Sequence, residues 1–410
     1  MSDTRVSRSS VMKLGRVEGD LIVEDGGIVE NLATGGLLEV MGEVRCEGDA
    51  EFRTSLTCAD FRAEGGRVEI QGDLTTRGEV RVEDGELDAS GSIQAQDVDV
   101  DKRLKIGKDL KAESVDVGGV LEVGGSMNAR TADVGGIFKV GGDANVGEID
   151  VGGTLDVEGA VNSTGLDVGG KATIGGGEVR DTIDVGGLFQ SSKLIKFGKI
   201  DVGGSARLLG GGEGRDIDVG GKFESNGDLH FETIDVGGIC EIRGNGEGES
   251  VDIGGILEVT GSLKLTGNLD IGGRARIGNE LRLGELDVGG SIEAEVIIAE
   301  DSVDVGGQLR TKRGTKAKRI KLGDRSEVSG PIIGETVTIG ERAKVEDVYA
   351  DDVKIEERAR TGNLYVKRAH LERRVQVAGE LIYQDTIDSD PDIVFSKPPV
   401  KKDELPKPPL

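Results

Sequence analysis

The chain of 410 residues has no tryptophan, three tyrosines and eight phenylalanines, so aromatics make up only 3% of it. A core built on large aromatic clusters is excluded, and burial must rest on Val, Leu, Ile and Ala. Histidine is nearly absent as well, with His230 and His370 the only two. Cys46, Cys58 and Cys240 are an odd number at no metal-ligand spacing. They exclude a disulfide framework and are expected to be buried free thiols in a reducing compartment. Five of the seven prolines fall at Pro398, Pro399, Pro406, Pro408 and Pro409, so the rest of the chain is almost free of the residue that interrupts a ladder. No stretch approaches the ~20 apolar residues of a membrane helix. Met1 to Leu14 lacks the apolar core of a secretory signal, and a cytoplasmic protein is expected. Positive charge is short too: 51 basic against 77 acidic residues give a net charge of −26. That balance argues against nucleic acid or an anionic membrane as the main partner.

What is present is repetition. Asp-Val-Gly-Gly, or its Ile variant, begins at Asp116, Asp133, Asp150, Asp167, Asp184, Asp201, Asp218, Asp235, Asp252, Asp270, Asp287 and Asp304. Successive copies start seventeen positions apart, except for the step from Asp252 to Asp270, which is longer by one. A fixed period is the signature of a repeat architecture, and this one is too short for a strand plus a helix or for a propeller blade. It fits one turn of a β-solenoid. Within a repeat, triplets such as Val115-Asp116-Val117, Leu121-Glu122-Val123 and Met127-Asn128-Ala129 read apolar–polar–apolar, which places both apolar residues on one face of an extended chain. Gly pairs or small polar residues follow each triplet and are expected to supply the unusual φ values of a sharp corner.

The expected fold is therefore all-β: a single-stranded parallel β-helix (a solenoid) of triangular coils, each about one repeat long. The pattern continues upstream from Val68/Ile70 and downstream to Leu381/Tyr383. Residues 14–383 are expected to form the rod, with 98–307 its most regular part, between a lead over 1–13 and a disordered Pro-containing tail over 384–410. About 21 coils at ~4.8 Å per stacked strand would span ~100 Å.

Stacking aligns the aspartates. Two unit charges ~4.8 Å apart repel by ~0.9 kcal/mol even in water, so an offset is required. Three are open: carboxylates accepting hydrogen bonds from the Gly amides two or three residues on; cations such as Lys139, Arg207, Arg276 and Arg310 in neighbouring columns; or bound divalent cations. The single match to the calcium-binding nonapeptide pattern, Gly211-Gly212-Glu213-Gly214-Arg215-Asp216, lies in a Gly-rich stretch where chance matches are expected. Both histidines occupy the polar centre of a triplet (Leu229-His230-Phe231 and Ala369-His370-Leu371). That position suits solvated side chains better than the base of a hexapeptide-repeat acyltransferase, whose coils count strictly in sixes and extrude a loop. No catalytic constellation, metal site or cofactor motif stands out.

A solenoid has two open ends with unpaired strand edges. No amphipathic capping helix is visible beside Leu14, Val17 and Leu21 at one end or Leu381, Ile382 and Tyr383 at the other. Such ends can stack on further copies, and a contact that does not close makes a filament. The even coil, with stretches such as Gly19-Asp20-Leu21-Ile22-Val23, Gly72-Asp73-Leu74 and Gly141-Gly142-Asp143-Ala144, resembles the bactofilins, polymer-forming cytoskeletal proteins. The resemblance implies a right-handed β-helix that polymerises end to end without nucleotide into non-polar filaments and scaffolds membrane-associated or cell-shape machinery. Apart from the resemblance, the tail over 384–410 is a candidate attachment point for scaffolded proteins. The chain departs from the family in its coil number, in its Asp-Val-Gly-Gly block and in lacking the family's apolar N-terminal segment. The rival expectation is a monomeric platform that presents one long face to a protein or polysaccharide.

Overall fold

A computed structural model describes residues 3–33 and 35–410. Every regular element in it is a β-strand, and the strands pair in parallel. The chain forms two compact units, residues 1–204 and 205–410, each a stack of coils. Together they carry about 23 turns of about 17 residues, a little more than the sequence suggests.

Three ladders run through each unit, one per triplet of the repeat. In the first unit Asp97–Val100 pairs with Ser114–Val117, Arg103–Ile106 with Val120–Val123, and Leu110–Lys111 with the start of Met127–Val134. The alternation read from the sequence is the alternation of burial. Val115 and Val117 are 1% and 0% exposed, and Leu121 and Val123 are 0% and 2% exposed. The interior is a narrow column of such pairs, widened where Phe52 meets Phe61 edge-on at 6.2 Å. Outward positions also pair like with like. The Asn145 amide donates to Asn128 Oδ1 at 3.3 Å, and the Asn162 amide donates to Asn145 Oδ1 at 2.8 Å.

The glycine corners work differently from the expectation. Positive φ is confined to a few residues, glycine and non-glycine alike, and the Asp-Val-Gly-Gly pairs are not among them. Their requirement is space. A Cβ on Gly152 would stand 2.5 Å from the Gly135 carbonyl oxygen, and one on Gly170 2.6 Å from that of Gly153. Corners of successive coils stack backbone on backbone, and no side chain fits between them. In the second unit the corner changes from residue 323 onward. Arg325, Arg342, Arg358 and Arg374 take left-handed φ of 57–61° at the same corner of four successive coils. Each corner there adds one more inward residue, Ser326, Ala343, Ala359 or Val375, all buried at 0%.

The ladders run past both expected boundaries. Thr4–Val6 pairs with Leu21–Val23 and Val11–Leu14 with Ile28–Asn31, so residues 4–13 of the expected lead are part of a coil, and residues 1–2 lie outside the described residues. At the other end Thr386–Ser389 pairs with Arg368–Leu371, Val394–Phe395 with Gln376–Val377, and Val400–Lys401 with Ile382–Tyr383. Pro398 and Pro399 do not stop the ladder because they precede its first paired residue there, Val400. The first coil is hard to see in the sequence because the second is lengthened: Ile28 pairs with Glu51, well over one period further on.

Candidate functional surfaces: the aspartate columns and the coil ends

The twelve motif aspartates form two columns, one per unit. In the first, Asp116 faces Asp133, then Asp150, Asp167, Asp184 and Asp201, and Asp99 joins from the preceding coil. In the second, Asp218 faces Asp235, then Asp252, Asp270, Asp287 and Asp304. Each occupies the outward centre of a triplet on a flat parallel ladder, so nothing in the backbone turns one carboxylate away from the next.

Two of the expected offsets fail. The first glycine of each pair donates to the coil below, Gly118 N to Val100 O at 3.0 Å and Gly135 N to Val117 O at 2.9 Å. Those amides are spent on the ladder rather than on the aspartates. The named cations face glutamates in their own columns instead: Arg207 lies 3.8 Å from Glu224, and Arg276 3.7 Å from Glu293. Lys139 pairs in register with Glu122 and Asp156, and Arg310 with Glu293. Lysines meet the columns at Lys199, 2.7 Å from Asp201, and at Lys321, 2.8 Å from Asp304. The remaining repulsion is visible in the acidities. Partial burial against the sheet, and then the like charges above and below, hold Asp116, Asp167, Asp252 and Asp287 above the usual carboxylate range. Among the described residues no group of three or more His, Cys, Asp or Glu side chains is placed to hold a metal ion.

The histidines do not meet. His230 is exposed between Glu213 and Glu247 on the third ladder. His370 lies on the first, its Nδ1 3.0 Å from Asp388 Oδ2. Cys46, Cys58 and Cys240 are free and buried. Burial pushes the Cys46 thiol up, and pushes Cys58 and Cys240 up to about 12, so these sulfurs are core atoms rather than nucleophiles. Among the described residues no helix is long and apolar enough to cross a membrane.

The terminal coils hold some of the residues expected there and not others. Leu14 and Val17 belong to the first coil, Leu14 half-buried and Val17 at 4% exposure. Leu21 belongs to the second coil and is 0% exposed. Leu381 is inward and 0% exposed, because the coil through Thr386, Val394 and Val400 lies beyond it; Ile382 is outward yet only 3% exposed, and Tyr383 is half-buried. The inward residues of that last coil are Ile387 and Phe395, both half-exposed where their counterparts Ala369 and Val377 are buried. Sequence reasoning missed them because the acidic residues between them read as a tail. The described terminal strands bond on one side only: Thr4–Val6, Val11–Leu14 and Arg16–Val17 to the next coil, Val394–Phe395 and Val400–Lys401 to the one before. Comparison with family models, curated proteins and solved structures returns no match.

Proposed function

We propose that the protein is a non-catalytic structural element of the cytoplasm, a β-helical scaffold of bactofilin type that assembles end to end through its terminal coils without nucleotide. The observation carrying this reading is the one-sided bonding of both terminal coils. In a parallel stack the two open faces are complementary: one offers what the other lacks, as each internal coil does to the next. The half-exposed apolar slice at Ile387 and Phe395 adds burial to the hydrogen bonding. Open parallel edges of this kind accept further strands, and a head-to-tail contact propagates. Buried free thiols fit a reducing compartment.

Electron microscopy and sedimentation of the purified chain test it. Filaments are expected, and more of them as salt rises, since screening weakens repulsion between copies of net charge −26. Ile387→Lys with Phe395→Lys should abolish them while the β-type circular dichroism persists. Single particles at every concentration and ionic strength would remove the assembly reading.

A further inference from the structure

The outward positions of the third ladder change character within the second unit. Upstream they are His230, Glu247, Lys264 and Arg282, all exposed. Further on they become Ile333, Tyr349, Tyr365 and Ile382, in register with one another. The two tyrosine rings lie 4.9 Å apart at 35°. Ile333 is only 8% exposed and Ile382 only 3%, although both point away from the coil interior. A side chain on the outer face of a sheet loses contact with water where neighbouring outward side chains or another segment lie over it, and here the adjoining tyrosine rings form a floor for such a segment.

The segment after the last strand is placed to do so. Beyond Lys401 the chain leaves the ladder, and Gln384 Nε2 donates to the Asp403 carbonyl at 2.6 Å. At the other extreme Leu410 Cδ1 lies 3.3 Å from where a Cβ of Gly314 would stand. Gly314 immediately precedes Thr315 and Lys316, which pair with Ile332 and Ile333. From the Val400 row to the Lys316 row is five ladder steps, or ~24 Å at ~4.8 Å each. Residues 402–410 in a polyproline II conformation reach ~28 Å at ~3.1 Å per residue. There is little slack, so the segment runs nearly straight across the strands. Leu405 and Leu410 are half-buried, and Pro406, Pro408 and Pro409 fix the extended backbone between them.

We propose that the stripe Ile333–Tyr349–Tyr365–Ile382 is a docking groove for an extended proline-rich segment, with residues 402–410 as its resident, displaceable occupant. The ligand that exchanges into it is the same segment of a second copy. The apolar floor accepts Leu-Pro-x-Pro-Pro-Leu because a preformed left-handed extended segment loses little entropy on docking against aromatic rings. Its use is lateral and does not involve the terminal coil faces, so it stands apart from end-to-end assembly.

Tyrosine is the only strong fluorophore in a chain without tryptophan, and two of its three tyrosines lie in the groove. In full-length protein carrying Leu405→Ser and Leu410→Ser, acrylamide should quench tyrosine emission more strongly than in the unsubstituted chain. A labelled peptide of residues 402–410 should bind the double variant saturably, at least tenfold more tightly than it binds the unsubstituted chain, whose groove is filled. Unlabelled full-length chain should displace that peptide, whereas a chain ending at residue 401 and carrying Tyr349→Ser and Tyr365→Ser, which offers neither segment nor groove, should not. Tyr349→Ser with Tyr365→Ser, added to the double variant, should remove peptide binding. Unchanged quenching, equal affinity of the peptide for both chains, failure of the full-length chain to compete, or peptide binding that survives loss of both rings would each overturn the proposal.

Discussion

Alanine in place of Gly152 isolates what the glycine corners are for. The new methyl would stand 2.5 Å from the Gly135 carbonyl oxygen and 3.3 Å from its carbon, well inside an ordinary C···O contact. Neither backbone can yield easily, because Gly152 N donates to Val134 O at 3.0 Å and Gly135 N to Val117 O at 2.9 Å. Forcing an extra carbon into a packed site costs about 1–3 kcal/mol. Removing glycine's freedom from the unfolded chain returns about 0.5–1 kcal/mol. A net loss of about 1–2 kcal/mol is expected. Gly289 occupies the same motif position in the second unit, yet its nearest neighbour, the Gly272 oxygen, is 3.1 Å away. Its alanine variant should be near neutral or slightly stabilised. Stacked coils need not unfold as one unit, so local hydrogen exchange is the suitable assay, supported by urea denaturation followed by circular dichroism. Amides of Ala144–Val151 and Gly165–Val168 should exchange about tenfold faster in Gly152→Ala, which is what ~1.4 kcal/mol produces. If Gly152→Ala and Gly289→Ala behave alike, or if Gly152→Ala stabilises, close backbone approach is not the reason for the glycines.

Thr361 Oγ1 is buried without a hydrogen-bond partner, and its residue pairs with inward Val377 and Val345. Thr361→Val should therefore stabilise by about 1 kcal/mol in denaturant titrations. Asp167 has a raised folded pKa, so its contribution to stability is present below the ordinary carboxylate range and is lost as pH climbs through the folded value. Asp167→Asn should accordingly raise stability at neutral pH by about 0.5 kcal/mol and make no difference in strong acid. Glu241 and Glu327, held low by hydrogen bonds from Lys222 and Lys344 respectively, act in the opposite sense. Their stabilisation is present above the ordinary range and falls away on acidification, so Glu327→Gln should cost stability at neutral pH and nothing once the carboxyl is protonated.

The interior was legible because period-2 burial and a fixed lap length leave little choice. Val68, Leu104, Leu121, Phe138 and Val337 are all inward, as their triplets imply. The parallel register could likewise be read from the motif spacing alone. The role of the glycines was not legible, since a corner with positive φ and a corner crowded by its neighbour select the same residue. The ends were blurred by local irregularities: the lengthened second coil, and acidic outward positions around Ile387. The groove was missed although its signal was present. Ile333, Tyr349, Tyr365 and Ile382 break a run of polar outward residues at one coil's spacing, and a Leu/Pro segment follows. What covers that stripe depends on the path of a non-repeating segment, which periodicity does not describe.

The equivalence of the laps has a consequence for how such a chain can change length. Excising residues 134–150 would join Asp133 to Val151, recreating an Asp-Val junction and seating each remaining strand on a neighbour of the same kind. Losing one residue inside a triplet would instead turn the rest of that strand inside out, bringing charge to the axis and valine to water. Whole-lap duplication and loss are thus the edits the architecture tolerates, and the chain changes length by whole laps.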